Sequence, residues 1–415
     1  MSAARLACLD LDTFFVSVER LLDPTLVGVP VVVGGRKGDR GVVTSCSYEV
    51  RPLGVRSGMS LVEAARLAPH AVFVPTRHDT YGPYSARVKS ILEAWCPVVR
   101  TASIDEFYLD FSGCERLYGA ADAAGGDAAI EGAVRRMREA VQAETGLPSS
   151  VGIGASRAIA KMASGRAKPA GVLMVAAGAE RQFADPLPVR KLPGIGPVAE
   201  QVLLAAGLPT LGQLHEVPDG ASRIAGMAMH YREALRPSGP LPERDRPAFR
   251  EHDEVAEGSL SNERTFFAAL SRPDLVRDAL RGLVERVTWR LRRRGGLART
   301  VTLKLRYDDF TTLTRGRSGP PTNAEGDVWE LAQELLGVAW ARRRRVRLLG
   351  VQLSNLSAPA AVAQLPLFPA ARPRAGVAID AVRDRFGYEA IRLGTATTDR
   401  APSPRLASAP VATRG

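Results

Sequence analysis

The sequence predicts an α+β multidomain protein, and three observations predict it. At 415 residues the chain exceeds what one hydrophobic core ordinarily holds, so several domains are expected. Residues 255–355 alternate between strand and helix periodicity in a βαββαβ order, which implies a four-stranded sheet backed by two helices. Ahead of that segment, residues 236–250 are proline-rich and charged, a composition that cannot pack a core and reads as an interdomain linker.

The elements follow in chain order. Residues 5–11 read as a short buried strand, and helical spacing runs from Phe14 to Leu22 until Asp23-Pro24 stops it. Pro30 to Gly35 is a strand ending in a glycine turn, and Gly41 to Ser47 is another. Ser60 to Ala68 and Tyr84 to Trp95 have helical spacing. Val98 to Phe111 holds two strand-like halves around Ser103–Glu106, as in a hairpin. Ala128 to Thr145 is helical, Ser149 to Ala155 is a strand, and Ser156 can cap the helix after it. A second unit begins near 186, with a Leu192-Pro193-Gly194-Ile195-Gly196-Pro197 turn between short helices. The third unit reads strand 255–267, helix 273–294, strands 299–307 and 309–315, helix 324–341 and strand 345–355. Within it Val301, Leu303, Leu305 and Tyr307 alternate with Thr302, Lys304 and Arg306, so one strand face is apolar and the other polar and basic. From 358 the chain is Ala- and Pro-rich and is expected to be largely mobile, with a locally helical piece at 378–391.

The net charge of +12 and the clustered arginines point to a polyanionic partner. Four cysteines, none in a Cys-x-x-Cys pair, and five histidines argue against a zinc site or disulfide framework and for a reducing compartment. No apolar run reaches the roughly 18–20 residues needed to cross a bilayer, and the N-terminus lacks a signal-peptide pattern.

The chemistry centres on acids. Asp105 and Glu106 are adjacent within an alternating apolar segment, and Asp10 ends a short apolar strand. Stripping water from a carboxylate costs several kcal/mol unless a partner compensates, so three acids at strand tips imply cations. At a hairpin turn both neighbours can reach one site shared with Asp10. Oxygen donors suit magnesium, and two such ions about 3.5–4 Å apart can serve an in-line phosphoryl displacement.

Cys8-Leu9-Asp10-Leu11-Asp12-Thr13-Phe14-Phe15-Val16-Ser17-Val18-Glu19, Tyr48-Glu49-Val50-Arg51, Ala102-Ser103-Ile104-Asp105-Glu106 and Ala167-Lys168-Pro169-Ala170-Gly171 together resemble the Y-family of translesion DNA polymerases, in its bacterial DNA polymerase IV branch. The resemblance runs in order from residue 6 to about 357. It implies a right-hand polymerase architecture: palm (1–11 and 78–177), fingers (12–77), a helix-hairpin-helix thumb (178–237), a linker (238–247), a βαββαβ little-finger DNA-binding domain (248–357) and a mobile tail (358–415). It implies that Asp10, Asp105 and Glu106, with the Leu11 carbonyl, hold two Mg2+ ions, Asp105 bridging both, while Asp12 orients structure. It places Phe15 as the steric gate against a ribose 2′-hydroxyl, and Tyr48, Arg51 and Lys168 on the triphosphate of a dNTP. Lys161 reads equally as a solvated helix residue. Small residues Val32, Val42, Thr44 and Gly58 match positions lining the nascent base pair. Gly165 stands where an aspartate is common among relatives.

For DNA, the Gly194-Ile195-Gly196 turn can offer backbone N–H groups to a phosphate. The basic residues of the third unit (Arg290, Arg292, Arg293, Arg294, Arg299, Lys304, Arg306, Arg315, Arg317 and Arg342–Arg345) can follow duplex phosphates without reading sequence. Gln364-Leu365-Pro366-Leu367-Phe368 resembles the pentapeptide that binds the bacterial sliding clamp. The expectation is a cytoplasmic, nucleoid-associated, monomeric DNA-directed DNA polymerase: error-tolerant, without proofreading, with primer-template DNA, dNTPs and the clamp as partners and no membrane. The competing readings are a non-catalytic DNA-bound adaptor, against which the retention of all three acids counts, and a palm-like nucleotide cyclase.

Overall fold

The computed structural model describes residues 4–119, 126–239, 241, 258–358 and 375–391. The chain divides into two compact units, Met1–Phe249 and Arg250–Gly415.

The first unit is built on a five-stranded sheet of β1 (Leu6–Leu11), β5 (Val99–Thr101), β6 (Glu106–Asp110), β7 (Ser149–Gly154) and β8 (Val172–Met174), in the order β5-β6-β1-β7-β8. β1 pairs antiparallel with both β6 and β7, Asp10 lying opposite Glu106 on one side and Ser150 on the other. Side chains alternate across a strand, so these three strands divide cleanly. Ala7, Leu9, Leu11, Phe107, Leu109, Val151 and Ile153 enter one core with Val88 and Leu92 of α3 (His78–Trp95) and Ile130, Val134 and Met137 of α4 (Gly126–Thr145). The opposite set, Cys8, Asp10, Glu106, Tyr108, Ser150 and Gly152, shares the other face by register. α5 (Arg157–Ala167) packs there, with Ser156 capping it by accepting from the Ile159 N–H at 3.1 Å. Gly152 makes that approach possible: a Cβ would lie 2.0 Å from the Ser164 nitrogen and 2.1 Å from the Ala160 oxygen.

α1 (Phe14–Leu22) leaves β1 through Thr13, whose φ of 46° is left-handed. That conformation is strained for a β-branched residue, costing about 1–2 kcal/mol. A small sheet of β2 (Val31–Val33), β3 (Ser45–Cys46) and β4 (Val72–Val74), with α2 (Leu61–Leu67), forms a separate core. The strand expected over 41–47 therefore shortens to two residues. Residues 180–234 form a helical subdomain of α6 (Glu180–Ala184), α7 (Pro197–Ala205) and α8 (Arg223–Ala234) around Leu192, Ile195, Leu203, Leu214 and Tyr231. α3 begins six residues before the expected Tyr84 and carries Pro83 inside it.

The second unit is the expected βαββαβ domain. Strands β9 (Ser259–Leu270), β10 (Leu297–Tyr307), β11 (Thr312–Thr322) and β12 (Val346–Ser357) form an antiparallel sheet in the order β11-β10-β12-β9. α9 (Pro273–Arg293) and α10 (Glu325–Ala339) share one core with Val301, Leu303, Leu305 and Tyr307, as the alternation predicts. β11 runs through Pro320 and Pro321, which an edge strand tolerates because its outer N–H groups need no partner.

In the tail the helical piece expected at 378–391 is present, but it is packed rather than mobile. α11 (Ala375–Phe386) packs on α9: Asp380 accepts two hydrogen bonds from Arg292, at 2.6 and 2.9 Å, and Arg383 donates to Glu285 at 3.2 Å. Glu285 and Arg383 are 1% and 2% exposed, so this helix is an integral part of the domain. Burying a charged pair demands close geometry and further hydrogen bonds, and a composition rich in Ala and Pro gave no sign of either.

Candidate active site

The three acids lie at the β1–β6 end of the first sheet. Asp10 and Glu106 are cross-strand partners on the α5 face, and Asp105 is the last residue of the β5–β6 turn, its carbonyl accepting from the Leu11 N–H at 2.9 Å. Each carboxylate is engaged by this chain. Lys168 donates to Asp10, Lys161 to Glu106 and Ser103 to Asp105. Burial pushes the Asp10 carboxyl above its usual range; Lys168 opposes this, and Asp105 and Glu106 add to the rise. Burial alone would lower the Lys161 ammonium, but its bond to Glu106 raises it instead.

Those features fit divalent cations. The donor set is oxygen only, the acids repel one another, and two ammonium groups stand where positive charge is wanted. Among the described residues no three Asp, Glu, His or Cys side chains already close on a common point. Lys161 and Lys168 occupy Glu106 and Asp10 in this arrangement.

Asp12 is the organiser of this region. It is 1% exposed and accepts from Tyr48 Oη at 3.1 Å, Ser150 Oγ at 2.8 Å and the Ala170 N–H at 2.8 Å, tying four chain segments together. Burial, with the Asp12 charge beside it, pushes the Tyr48 hydroxyl up, so Tyr48 stays a neutral donor. The Arg51 guanidinium lies over the Tyr48 ring, 4.4 Å from its centroid. Tyr48, Arg51 and Lys168 are thus linked through Asp12 and Asp10 into one cluster. Phe14 is buried in the core and Phe15 is half-buried, its ring stacked on Tyr81. A cavity of about 530 Å³, lined by Arg100, Glu106, Tyr108, Arg157, Lys161 and His230, opens beside Glu106.

Of the small residues matched to the base-pair pocket, Val42 is 53% exposed, Gly58 faces open space and Thr44 is half-buried. Val32 is fully buried in the small-sheet core and lines nothing. Gly194 adopts a φ of 98°, and the turn leads through Gly196 into α7, with Pro197 at its first position. In the second unit Lys304 donates to both oxygens of Glu263 at 2.9 Å, across Gly350 of the intervening strand. Arg306 donates to Thr312 Oγ1 at 2.8 Å on the same open face. Arg292 belongs to the α9–α11 contact instead. Arg315 and Arg317 lie opposite Leu303 and Val301, so they share the helix-covered side, and Arg317 pairs with Glu334 of α10. Gln364, Leu365, Leu367 and Phe368 lie outside the described residues, as does most of the 238–247 linker.

Sequence reasoning left Lys161 undecided. It lies on α5, and Lys168 follows directly after the last residue of that helix, so one element delivers both ammonium groups to the acids. Tyr81 carried no comparable signal, and Glu19 closes the first resemblance segment without a role assigned to it.

Comparison with known proteins is consistent across the chain. The model of the impB/mucB/samB family matches residues 9–165, and that of the impB/mucB/samB family C-terminal domain matches 257–367. A protein named DNA polymerase IV from Dehalococcoides mccartyi (strain CBDB1) is 35% identical over 95% of this chain and 98% of its own length. A DNA polymerase IV from Alkalilimnicola ehrlichii is 36% identical over 89% of this chain and 100% of its own. Among solved structures, a Y-family DNA polymerase chimera of Dbh and Dpo4 aligns with a TM-score of 0.70 at 23% identity, covering 85% of this chain and 99% of that one. DinB from Sulfolobus solfataricus aligns with a TM-score of 0.54 at 24% identity, with the same coverage. No helix among the described residues is long and apolar enough to cross a membrane. With both family models matched in order and relatives aligned over nearly the whole length, the chain belongs to the Y-family of DNA polymerases, within the impB/mucB/samB group.

Proposed function

We propose that the protein is a DNA-directed DNA polymerase of the translesion type, which extends a primer 3′-hydroxyl with dNTPs opposite damaged templates. The observation that carries this is the convergence of Asp10, Asp105 and Glu106 at paired strand ends, beside Lys168, Tyr48 and Arg51. Asp10, Asp105, Glu106 and the Leu11 carbonyl would hold two Mg2+ ions. When bound, such ions activate the hydroxyl and stabilise the departing pyrophosphate.

The protein's own groups do the rest. Arg51 offers a forked donor set and Lys168 a point charge to the triphosphate, with the Tyr48 hydroxyl donating beside them. Lys161 and Lys168 neutralise Glu106 and Asp10 in the resting enzyme. Phe15 stands as the wall that a 2′-hydroxyl would strike. The exposed Val42 and open Gly58 leave the base-pair pocket loose, so shape discrimination is weak and damaged templates are admitted. Synthesis proceeds without proofreading, since among the described residues no separate exonuclease unit accompanies these parts. The Gly194–Gly196 turn and the Lys304–Arg306 face follow DNA phosphates, and Gln364-Leu365-Pro366-Leu367-Phe368 engages the sliding clamp. The protein acts as a monomer on the nucleoid.

The test is primer extension with Mg2+ and the four dNTPs. Asp105→Ala and Glu106→Ala should each abolish extension while a fluorescence-anisotropy titration shows primer-template affinity within about threefold of the parent, because neither acid contributes to phosphate attraction. Full extension by either variant refutes the assignment.

A further inference from the structure

The Phe15 ring rests on a buried support. Tyr81 of α3 lies face to face with it, centroids 4.0 Å apart and planes 13° from parallel. His78 meets the same ring edge-on at 6.4 Å, and Phe14 packs 5.6 Å away. Tyr81 is fully buried and its hydroxyl is pinned, donating to Glu19 Oε1 at 2.7 Å and accepting from the Arg77 backbone N–H at 3.1 Å. Glu19 is itself 0% exposed and is gripped by the Arg77 guanidinium, Nε reaching Oε1 at 3.0 Å and Nη2 reaching Oε2.

The spacing explains why these groups act together. Phe15 and Glu19 are four apart on α1, so they occupy one helix face. Arg77 precedes α3, and Tyr81 lies in its first turns, four residues later. The ring stack and the ion pair are therefore two rungs between the same two helices. Burial pushes the Tyr81 hydroxyl up, so it remains a donor to the carboxylate. A buried carboxylate with three donors is costly to disturb, because removing any donor leaves charge without compensation.

A steric wall excludes only as far as it resists displacement. A 2′-hydroxyl adds one oxygen, and a ring that yields by about 1 Å admits much of it. We infer that Tyr81, locked by Glu19 and Arg77, is the backstop that holds the Phe15 ring in place, a positioning residue that sets discrimination between ribo- and deoxyribonucleotides. This rests on the polymerase reading and on Phe15 as its gate.

The experiment measures single-nucleotide insertion of dCTP and CTP opposite template G by the full chain, as kcat/KM for each. The parent, Phe15→Ala, Tyr81→Leu, Tyr81→Phe, Glu19→Gln and the Phe15→Ala/Tyr81→Leu double variant are compared, each checked by thermal denaturation. Tyr81→Leu should raise the CTP/dCTP ratio about tenfold, a scale set by losing one close contact in a selective pocket. Tyr81→Phe and Glu19→Gln keep the ring but loosen it, and should raise the ratio about two- to threefold. The double variant should be no more permissive than Phe15→Ala alone, since the backstop acts only through the gate. Equal losses with both nucleotides in Tyr81→Leu, or a double variant whose ratio multiplies the two single effects, overturns the inference. If Tyr81→Leu does not fold, an unchanged ratio in both Tyr81→Phe and Glu19→Gln overturns it instead. A parent that does not insert dCTP refutes the polymerase reading, and a parent that does while Phe15→Ala leaves the ratio unchanged refutes the gate; either result removes the backstop with it.

Discussion

Replacing Asp12 with alanine removes the acceptor on which Tyr48, Ser150 and Ala170 converge. Tyr48 is only half-buried and can recover a water, so its loss is small. Ser150 is fully buried, and the Ala170 N–H is fixed by the backbone; each orphaned donor costs about 1–3 kcal/mol. The sum, trimmed for the freedom of the serine hydroxyl, is about 3–4 kcal/mol. For a unit of this size that corresponds to a fall in Tm of about 6–16 °C. Asparagine should be much milder. Its carbonyl can keep the Ser150 and Ala170 bonds on the Oδ2 side, and the Tyr48 hydroxyl can turn to accept from the amide. The assays are thermal denaturation and dNTP kinetics in primer extension. KM for dNTP should rise in Asp12→Ala more than in Asp12→Asn, because Tyr48 and the Lys168–Ala170 loop both lose their anchor. An alanine variant melting within about 2 °C of the parent, with unchanged KM, would refute the reasoning.

Gly152→Ala would force a Cβ to within 2.0 Å of the Ser164 nitrogen, and backbone must yield. Overpacking against backbone should cost about 3 kcal/mol or more, read by denaturation, and the shift of α5 should lower primer extension by displacing Lys168, just past its end, from the triphosphate. In the second unit, burial and then the Glu285 charge push the Glu325 carboxyl above its usual range. A raised carboxyl binds protons more readily folded than unfolded, so its ionisation lowers stability as pH climbs through the folded value. Glu325→Gln should therefore raise the Tm of this unit at pH 7 by roughly 2–4 °C, and the gain should vanish below about pH 4, where the unfolded carboxyl is also protonated.

Much of this architecture was legible in the sequence because strand alternation is a local signal. Val301, Leu303, Leu305 and Tyr307 announced a buried face, and all four are buried. The first turns of α3 were hidden by Gly82-Pro83, which usually end a helix; near a helix start the lost N–H costs less. Pro320 and Pro321 hid the length of β11, since its edge position depends on pairing far along the chain. Charge was read less well than polarity. Alternation puts Arg306 on the open face, but nothing in the order of residues puts Arg317 on the helix side; register does. At the candidate site the acids, Phe15 and Lys168 stood within recognisable segments. Tyr81 and Arg77 did not, and Glu19, though inside the first of those segments, showed no role there, because the value of all three lies in each other's company across two helices.

The α9–α11 contact bears on how the second unit is made. Glu285 and its partner Arg383 are 98 residues apart. A ribosome therefore releases the acid, with Arg281 one turn away on the same helix, long before Arg383, and all four strands are complete before α11 can cover Glu285. The nascent domain can pair its sheet early, but its helical layer closes only when the last described helix arrives. Completion of the α9 face is consequently a late event in synthesis, governed by a long-range contact rather than by the sheet.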